Sequence, residues 1–400
     1  MKILYFSPHP HHDIVSDVGY SVHQLEMIKA FRELGHEVEL LIMGGESKEE
    51  LPDYVKEPGQ STFRKAVKSI VPRVLWNTLR DYQRYIKHDE VAYARLKEKC
   101  KSFQPDVIYE RSEYLLQSGV RLAQDLKIPH ILEVNAPFIE EWKQFEGGNL
   151  LEKTAHKREA FKLRNTSLVS CISTTLRDQL WSTYSLDPNM ANVIVTNGAD
   201  PKRFGSEGAQ QATSKFPLNA EKVVIGFVGS IMPYHRVDQL IRAFEKLPNE
   251  VRDRAQLLIV CGGSTLDDLK DSVSDSDAKD QVIFTGHLQR SDVPPFIDLM
   301  DICVLPSTNW YCSPIKLFEY AILGKAIIAP NTAPVTEVFT DGQNIHLVGN
   351  EQGLVKALNE LILSPEKTRQ LGDRAKDLIL AEYQWTKLAS KTLEALPRHA

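Results

Sequence analysis

Three short stretches of the 400-residue chain carry side chains that can do chemistry. The first is SPIKLFEYAILGK, residues 313–325. Ser313 reads as a helix cap and Pro314 as the first helical residue, so a helix is expected over about 314–323. The N–H groups of Ile315 and Lys316 then point out of the helix start. With the Lys316 charge they form an end that faces an anion. Glu319 shares a helix face with Ile315 and Ile322, where an unpaired buried carboxylate is costly. It can accept hydrogen bonds from a diol such as a ribose; an ion pair inside the domain, for instance with Lys316, is the alternative. The second stretch is VGSIMPYHRVDQL, residues 228–240. Gly229 sits between strand and helix, where the missing side chain admits a ligand to the backbone. His235 and Arg236 stand at the helix start, where cations oppose the helix dipole unless an anion intervenes; the alternative is two solvated side chains. Together these residues describe a sugar nucleotide, with its diphosphate between His235, Arg236 and the Lys316 helix start and its ribose on Glu319.

The third stretch, SPHPHHDIVSDVGYS, spans residues 7–21. His9, His11, His12 and Asp13 are metal-ligand types. They crowd a Pro-containing loop without a second ligand cluster, and no metal is expected. Gly19 is placed before a helix as Gly229 is. Neither glycine loop carries a dinucleotide fingerprint or a Walker sequence.

These side chains need a scaffold, and the chain supplies two of them. Strand-like runs in the first half read KILYFSP, EVELLIM, DVIYER, HILEVNA, LVSCIS and NVIVTN. In the second half they read VVIGFVGS, QLLIVCGG, QVIFTGH, ICVLPS, AIIAP and IHLVG. Helical spacing separates them, as in Val22, Leu25, Ile28 and Phe31, with Gly35 as a stop. The runs are continuously apolar, which marks parallel strands covered on both faces. The fold class is therefore α/β, with two doubly wound parallel-sheet, Rossmann-like domains. The polar stretch 200–222 reads as the break between them. The expected division is 1–203 and 204–384, with a last helix, 385–400, packing back on the first domain. Two such domains facing each other make a central cleft, and ligands bind at the carboxyl ends of the strands. Glu110, Arg111 and Glu133 end first-domain strands and are candidates for holding an acceptor; a charge network internal to the domain is the alternative.

Composition narrows the partners. A net charge of −5 argues against a general nucleic-acid binder. No apolar run reaches bilayer-spanning length, and MKILYFSPHP reads as a first strand and not a leader. Five scattered cysteines read as reduced core thiols of a cytoplasmic protein. Residues 62–102 break the charge balance, with eleven Lys or Arg against four Asp or Glu and with aromatics interleaved. This segment is a candidate for peripheral contact with an anionic membrane at its inner face; a solvated helical hairpin or lid is the alternative.

The motifs resemble those of the family 4 glycosyltransferases, which have the GT-B fold and retain the anomeric configuration of the donor sugar. GYSVHQLEMIKAFRELGHEVEL looks like the family's first glycine loop, helix and second strand. VTNGADPKRF looks like its interdomain hinge, IGFVGSIMPYHRVDQLIRAF like its phosphate-binding loop, and VIFTGHLQRSDVPPFIDLMDICVLPS like the stretch framing the nucleobase. SPIKLFEYAILGKAIIAP is the most specific match. YER and EVNAP suggest a subgroup that builds bacterial polysaccharides.

The resemblance implies a nucleotide-diphosphate sugar as donor substrate, no cofactor and no metal. The acceptor would be a glycan, a glycolipid or a small molecule. By position, Glu319 would bind the ribose, and the backbone at Ser313, Pro314, Ile315 and Lys316 would meet the pyrophosphate and donor sugar. Ser230 and His235 stand where the family commonly has Arg and Lys, so His235 would bind diphosphate in its protonated form. His287 and Leu288 would border the base. Gly19 would let the first domain approach the donor, and Asn135 lies near the place of a histidine, common in the family, that meets the donor sugar. The donor's own phosphate, and no protein base, would take the acceptor proton. Tyr311 stands where the family often has a glutamate for the sugar hydroxyls. That departure keeps two other readings open: a sugar-nucleotide 2-epimerase of GT-B architecture, using Glu110 or Glu133 as acid and base, and a non-catalytic partner subunit.

Overall fold

A computed structural model describes residues 1–16, 18–46, 72–204, 216, 218–263 and 266–397. The chain divides into two compact units, Met1–Thr196 with Thr386–Ala400, and Asn197–Trp385.

The first unit holds a six-stranded sheet in the order β2-β1-β3-β4-β5-β6. Its strands are β1 (Lys2–Ser7), β2 (Glu37–Ile42), β3 (Val107–Arg111), β4 (His130–Val134), β5 (Leu168–Cys171) and β6 (Asn192–Ile194). Every pairing is parallel. All of β3 and β4 is buried, as continuous apolar runs require when helices cover both faces. The helix Gly19–Glu33 buries Val22, Met27, Ile28 and Phe31. Leu25, expected on that face, is exposed instead. Gly35 takes φ +82° just past the helix end, a conformation open to glycine at little steric cost.

The second unit holds β7 (Val223–Val228), β8 (Ala255–Val260), β9 (Val282–Phe284), β10 (Ile302–Val304), β11 (Ala326–Pro330) and β12 (His346–Val348). Their order is β12-β11-β10-β7-β8-β9, again all parallel. In each sheet the strand order reverses beside the unit's first strand, between β1 and β3 and between β7 and β10. Such switch points open a crevice at the carboxyl ends of the two strands, where ligands bind.

Three expectations differ from the structure. Residues 197–203 cluster with the second unit, so the division falls before Asn197 and not after residue 203. Ala199 bridges to Gln384, and Asn197 bonds to Ser313, which draws this segment onto that unit. The described part of 62–102 is one helical run and not a hairpin: Arg73–Asp81, a π-helical stretch Tyr82–Lys87, then His88–Phe103. Residues 62–71, the rest of the candidate membrane segment, lie outside the described residues. The helix expected over 314–323 spans Ile315–Ile322.

Candidate functional site

At the switch point of the second unit, the loops after β7 and β10 bring together Gly229, His235 and Lys316. Lys316 begins as an outward-facing cation in the sequence but is buried, with its ammonium 4.4 Å from the centre of the Phe227 ring. Burial pulls its pKa down to about 7, although the charges of Cys312 and Glu319 act to raise it. Its Nζ lies 3.3 Å from His235 Nε2. The other ring nitrogen, Nδ1, is 3.0 Å from the Ser230 carbonyl oxygen. A carbonyl can only accept, so Nδ1 carries the proton and Nε2 accepts from the ammonium. Gly229 makes room for this: with φ +130°, a Cβ there would stand 2.8 Å from Lys316 Nζ.

This arrangement corrects the expected chemistry of His235. Burial, then the Lys316 charge, lowers its pKa to about 3. It is therefore a neutral acceptor at physiological pH, and the nearby group that changes charge there is Lys316. Arg236 stands apart from the pair. It takes a left-handed backbone conformation, φ 50° and ψ 45°, before the helix Val237–Glu245. Its guanidinium reaches both oxygens of Asp238 at 3.2 Å. The acid in the helix's first turn thus answers the cation that opposes the dipole.

The helix Ile315–Ile322 departs from the expected capping. Pro314, extended at ψ 117°, occupies the cap position, and no side chain caps the helix. Ser313 lies one residue further out, where its Oγ accepts from the Asn197 N–H at 3.4 Å and its carbonyl accepts from Asn197 Nδ2. Ile315 and Lys316 are the first helical residues, so their N–H groups have no acceptor within the helix. Leu317, Phe318, Tyr320 and Ala321 turn inward. Ile315 and Glu319 are the more open positions, so Glu319 stands off the apolar stripe. It meets Arg203 Nη1 at 3.5 Å, and its side chain is 15% exposed. Ser230 is exposed, and the exposed His287 after β9 lies against Gly262 after β8, where a Cβ would come within 2.8 Å of the His287 Cβ. Leu288 packs on the core. Tyr311 is buried, its hydroxyl accepting from Asn309 Nδ2 at 3.1 Å.

The first unit gathers charge at its own strand ends. Glu133 is buried and receives Tyr109 Oη at 2.5 Å, Arg111 Nη1 at 2.9 Å and Asn135 Nδ2. His23 Nε2 lies 3.2 Å away. Burial alone would raise its pKa, but His23 and Arg111 outweigh it and hold the carboxyl at about 2. Glu110 is fully buried and pairs with His130 Nε2 at 2.9 Å. Glu110, Arg111 and Glu133 thus form the internal charge networks named as the alternative, and the acceptor role expected of them loses its access. Asn135 is partly exposed at the end of β4. At Gly19 a Cβ would meet nothing within 4 Å, so nothing in the described unit demands glycine there.

Sequence reasoning missed Arg203 as the partner of Glu319, and it missed Glu113. Glu113 follows β3 and lies 2.8 Å from His12 Nδ1. His9, His12 and Glu113 each offer a ligand atom within 4.8 Å of the others. One nitrogen of each ring is engaged: His9 Nδ1 accepts from the His11 N–H at 3.1 Å, and His12 Nδ1 faces Glu113. His11, which lacks a place in that group, is held at a pKa of about 4, mainly by burial.

Comparison with known proteins accounts for this layout. Residues 19–203 match the family model "Glycosyltransferase Family 4", and residues 209–378 match "Glycosyl transferases group 1". An alpha-maltose-1-phosphate synthase of Mycolicibacterium smegmatis is 25% identical over 72% of this chain and 78% of its own length. An alpha-monoglucosyldiacylglycerol synthase of Streptococcus pneumoniae is 23% identical over 68% of this chain and 63% of its own. Among solved structures, Anabaena HepE in complex with UDP superposes with a TM-score of 0.70 at 17% identity, covering 99% of both chains. The sucrose-phosphate synthase of Thermosynechococcus elongatus gives 0.72 at 16%, covering 98% of this chain and 97% of the other. Two all-parallel six-stranded units with ligand-type residues at their strand ends, matched nearly end to end by the two halves of one enzyme family, make the chain a member of the family 4 glycosyltransferases with the GT-B fold.

Proposed function

We propose that the protein is a retaining glycosyltransferase that moves a sugar from a nucleotide-diphosphate sugar to an acceptor hydroxyl, without a metal ion, in the assembly of a bacterial polysaccharide or glycolipid. The observation that carries this reading is the meeting of Gly229, His235 and Lys316 at the switch point of the second unit. A diphosphate placed there meets the orphan N–H groups of Ile315 and Lys316, the Lys316 ammonium and the helix dipole. Fixed positive groups of this kind stabilise a departing diphosphate, and losing one costs about 3 kcal/mol in the barrier. Glu319 keeps its carboxylate on the open side of the same helix, where a ribose diol can donate to it. His287 and Leu288 flank the end of β9 as a border for the base. Asn135, with its Nδ2 given to Glu133, retains an amide oxygen for a donor-sugar hydroxyl and is no base. The first unit takes the acceptor. Buried Glu110 and Glu133 weigh against the epimerase reading, which needs carboxylates open to substrate.

The test is a thermal-shift panel of UDP-, GDP-, ADP- and TDP-sugars. A ligand that binds the folded state raises the apparent Tm, by about 2.7 kcal/mol of stability at a hundredfold excess over Kd. One of these donors is expected to do so, and Glu319→Ala is expected to remove most of the shift while leaving the unliganded Tm near wild type. No shift with any donor would refute the reading. Epimerised donor formed without an acceptor would favour the epimerase, and binding without transfer or hydrolysis would favour the partner subunit.

The residues exposed along 73–82 – Val74, Leu75, Leu79 and Tyr82 – support peripheral contact with the cytoplasmic membrane face. Co-sedimentation with anionic vesicles, lost in Leu79→Glu, checks that part. Equal sedimentation of the variant would remove it.

A further inference from the structure

The first unit has its own switch point, and the donor reading leaves it unused. The loop after β1 delivers His12 there, and the loop after β3 delivers Glu113. Both are held from several sides. His12 lies between two aromatic rings, His9 at 3.5 Å and 19° and Tyr20 at 4.2 Å and 25° between planes. Its backbone rests on Gly44, where any Cβ would come within 2.4 Å of the His12 carbonyl. Glu113 is buried. Its carbonyl accepts from the buried Lys162 Nζ at 2.8 Å, and its carboxylate lies 3.7 Å from Arg111 Nε. Between the two loops, His12 Nδ1 lies 2.8 Å from Glu113 Oε1.

Chemistry follows from that contact. A carboxylate only accepts, so His12 Nδ1 carries a proton, and the lone pair of the neutral ring is on Nε2. Nε2 is on the opposite edge of a ring that the stacking partners keep from turning. The His12 side chain is 28% exposed, against 4% for Glu113. The result is an oriented acceptor of hydrogen bonds, at the place in the sheet where ligands bind. A metal ion bridging His12 Nδ1 and Glu113 would have to displace the proton between them. A hydroxyl group needs only the one lone pair that remains.

We propose that His12 Nε2 accepts a hydrogen bond from a hydroxyl of the acceptor substrate, and that Glu113 is the positioning residue that fixes the ring and its tautomer. The inference rests on the reading of the first unit as the acceptor side. It commits to a neutral polyol, a sugar or glycerol hydroxyl, as the group recognised.

The experiment uses the full chain labelled with 15N-histidine, with methyl α-D-glucopyranoside and glycerol as probes. In the free protein His12 should show a protonated Nδ1 and an unprotonated Nε2. Titration with either probe should move the Nε2 resonance in the direction of hydrogen-bond acceptance. His12→Ala should weaken probe binding about tenfold, the loss of one hydrogen bond, and His12→Gln, which keeps an acceptor atom, should restore part of it. Glu113→Leu should leave the ring in place but mix its tautomers, a signature that a merely structural role would not give. Donor binding in the thermal-shift panel should stay at wild-type strength in all three variants, which separates failure here from failure of the donor reading. The proposal is overturned if both probes leave Nε2 unmoved, if His12→Ala binds them like wild type, or if added zinc, and not the probes, shifts His12.

Discussion

Lys316 gives the donor reading its most exposed consequence. Burial holds the unliganded amine at a pKa of about 7, so half of the molecules carry the charge at pH 7 and about one in a hundred at pH 9. If a diphosphate selects the charged form, the apparent Kd scales inversely with that fraction. It then rises about fivefold from pH 7 to pH 8 and about fiftyfold from pH 7 to pH 9, some 2 kcal/mol in all. Below pH 6 the curve is flat, because His235, held at about 3, stays neutral down to pH 5. Any decline centred on an ordinary imidazole pKa is therefore not expected. A nucleotide sugar is the right ligand, since its diphosphate diester does not titrate in this range. The assay is isothermal calorimetry with the best donor of the panel, at half-unit steps from pH 5.5 to 9. Lys316→Met should lose the pH dependence together with most of the affinity. The same substitution should raise the unliganded Tm. The folded-state pKa lies below the ordinary 10.5, so unfolding takes up a proton between about pH 7 and 10; stability therefore rises with pH across that window, and replacing the amine by an apolar side chain removes the penalty at neutral pH. A Kd that does not change from pH 6 to 9, or a slope that survives in Lys316→Met, would refute the assignment.

Two further outcomes concern the frame around these groups. Gly229→Ala combines a strained φ with a Cβ 2.8 Å from Lys316 Nζ; it should cost about 1–3 kcal/mol in denaturant unfolding and displace the amine, weakening the donor at least about tenfold, and unchanged donor affinity would show that the amine tolerates displacement. Arg111→Met strands the Glu133 carboxylate and should lower stability by about 3–5 kcal/mol, with Glu133→Gln in the same chain recovering part. The depressed carboxyl of Glu133 contributes stability above its ordinary pKa, and that contribution should fade as pH falls toward 2, so the wild-type acid limb should flatten in the double variant.

The twelve strands of the described residues were legible because each carries an apolar run, and the inner ones such as β3, β4, β8 and β10 are buried along their whole length. The positions of Gly229, His235 and Lys316 were legible too, since a glycine and cations beside a strand end and a helix start have few other uses. Their charge states were not. Burial decides those, and the Phe227 ring that covers Lys316 lies far upstream in sequence. The same limit applies to Glu319, whose partner Arg203 sits in a segment that reads as a linker, and to Ser313, whose hydroxyl is drawn away by Asn197. At the first sheet the rule of looking at strand ends named acids that the structure finds buried. Glu110 and Glu133 belong to the strands proper and point into packed surroundings, whereas Glu113, just past the end of β3, reaches the loop that follows β1.

The pair between Arg203 and Glu319 has a bearing on how an empty site waits. The Arg203 guanidinium stands 3.5 Å from that acid. If a sugar nucleotide binds as proposed, it must share or displace a resident cation that belongs to the same polypeptide. On that reading release would be assisted as much as capture: as the spent nucleotide lifts off, Arg203 would close the circuit within the chain and the carboxylate would regain its partner.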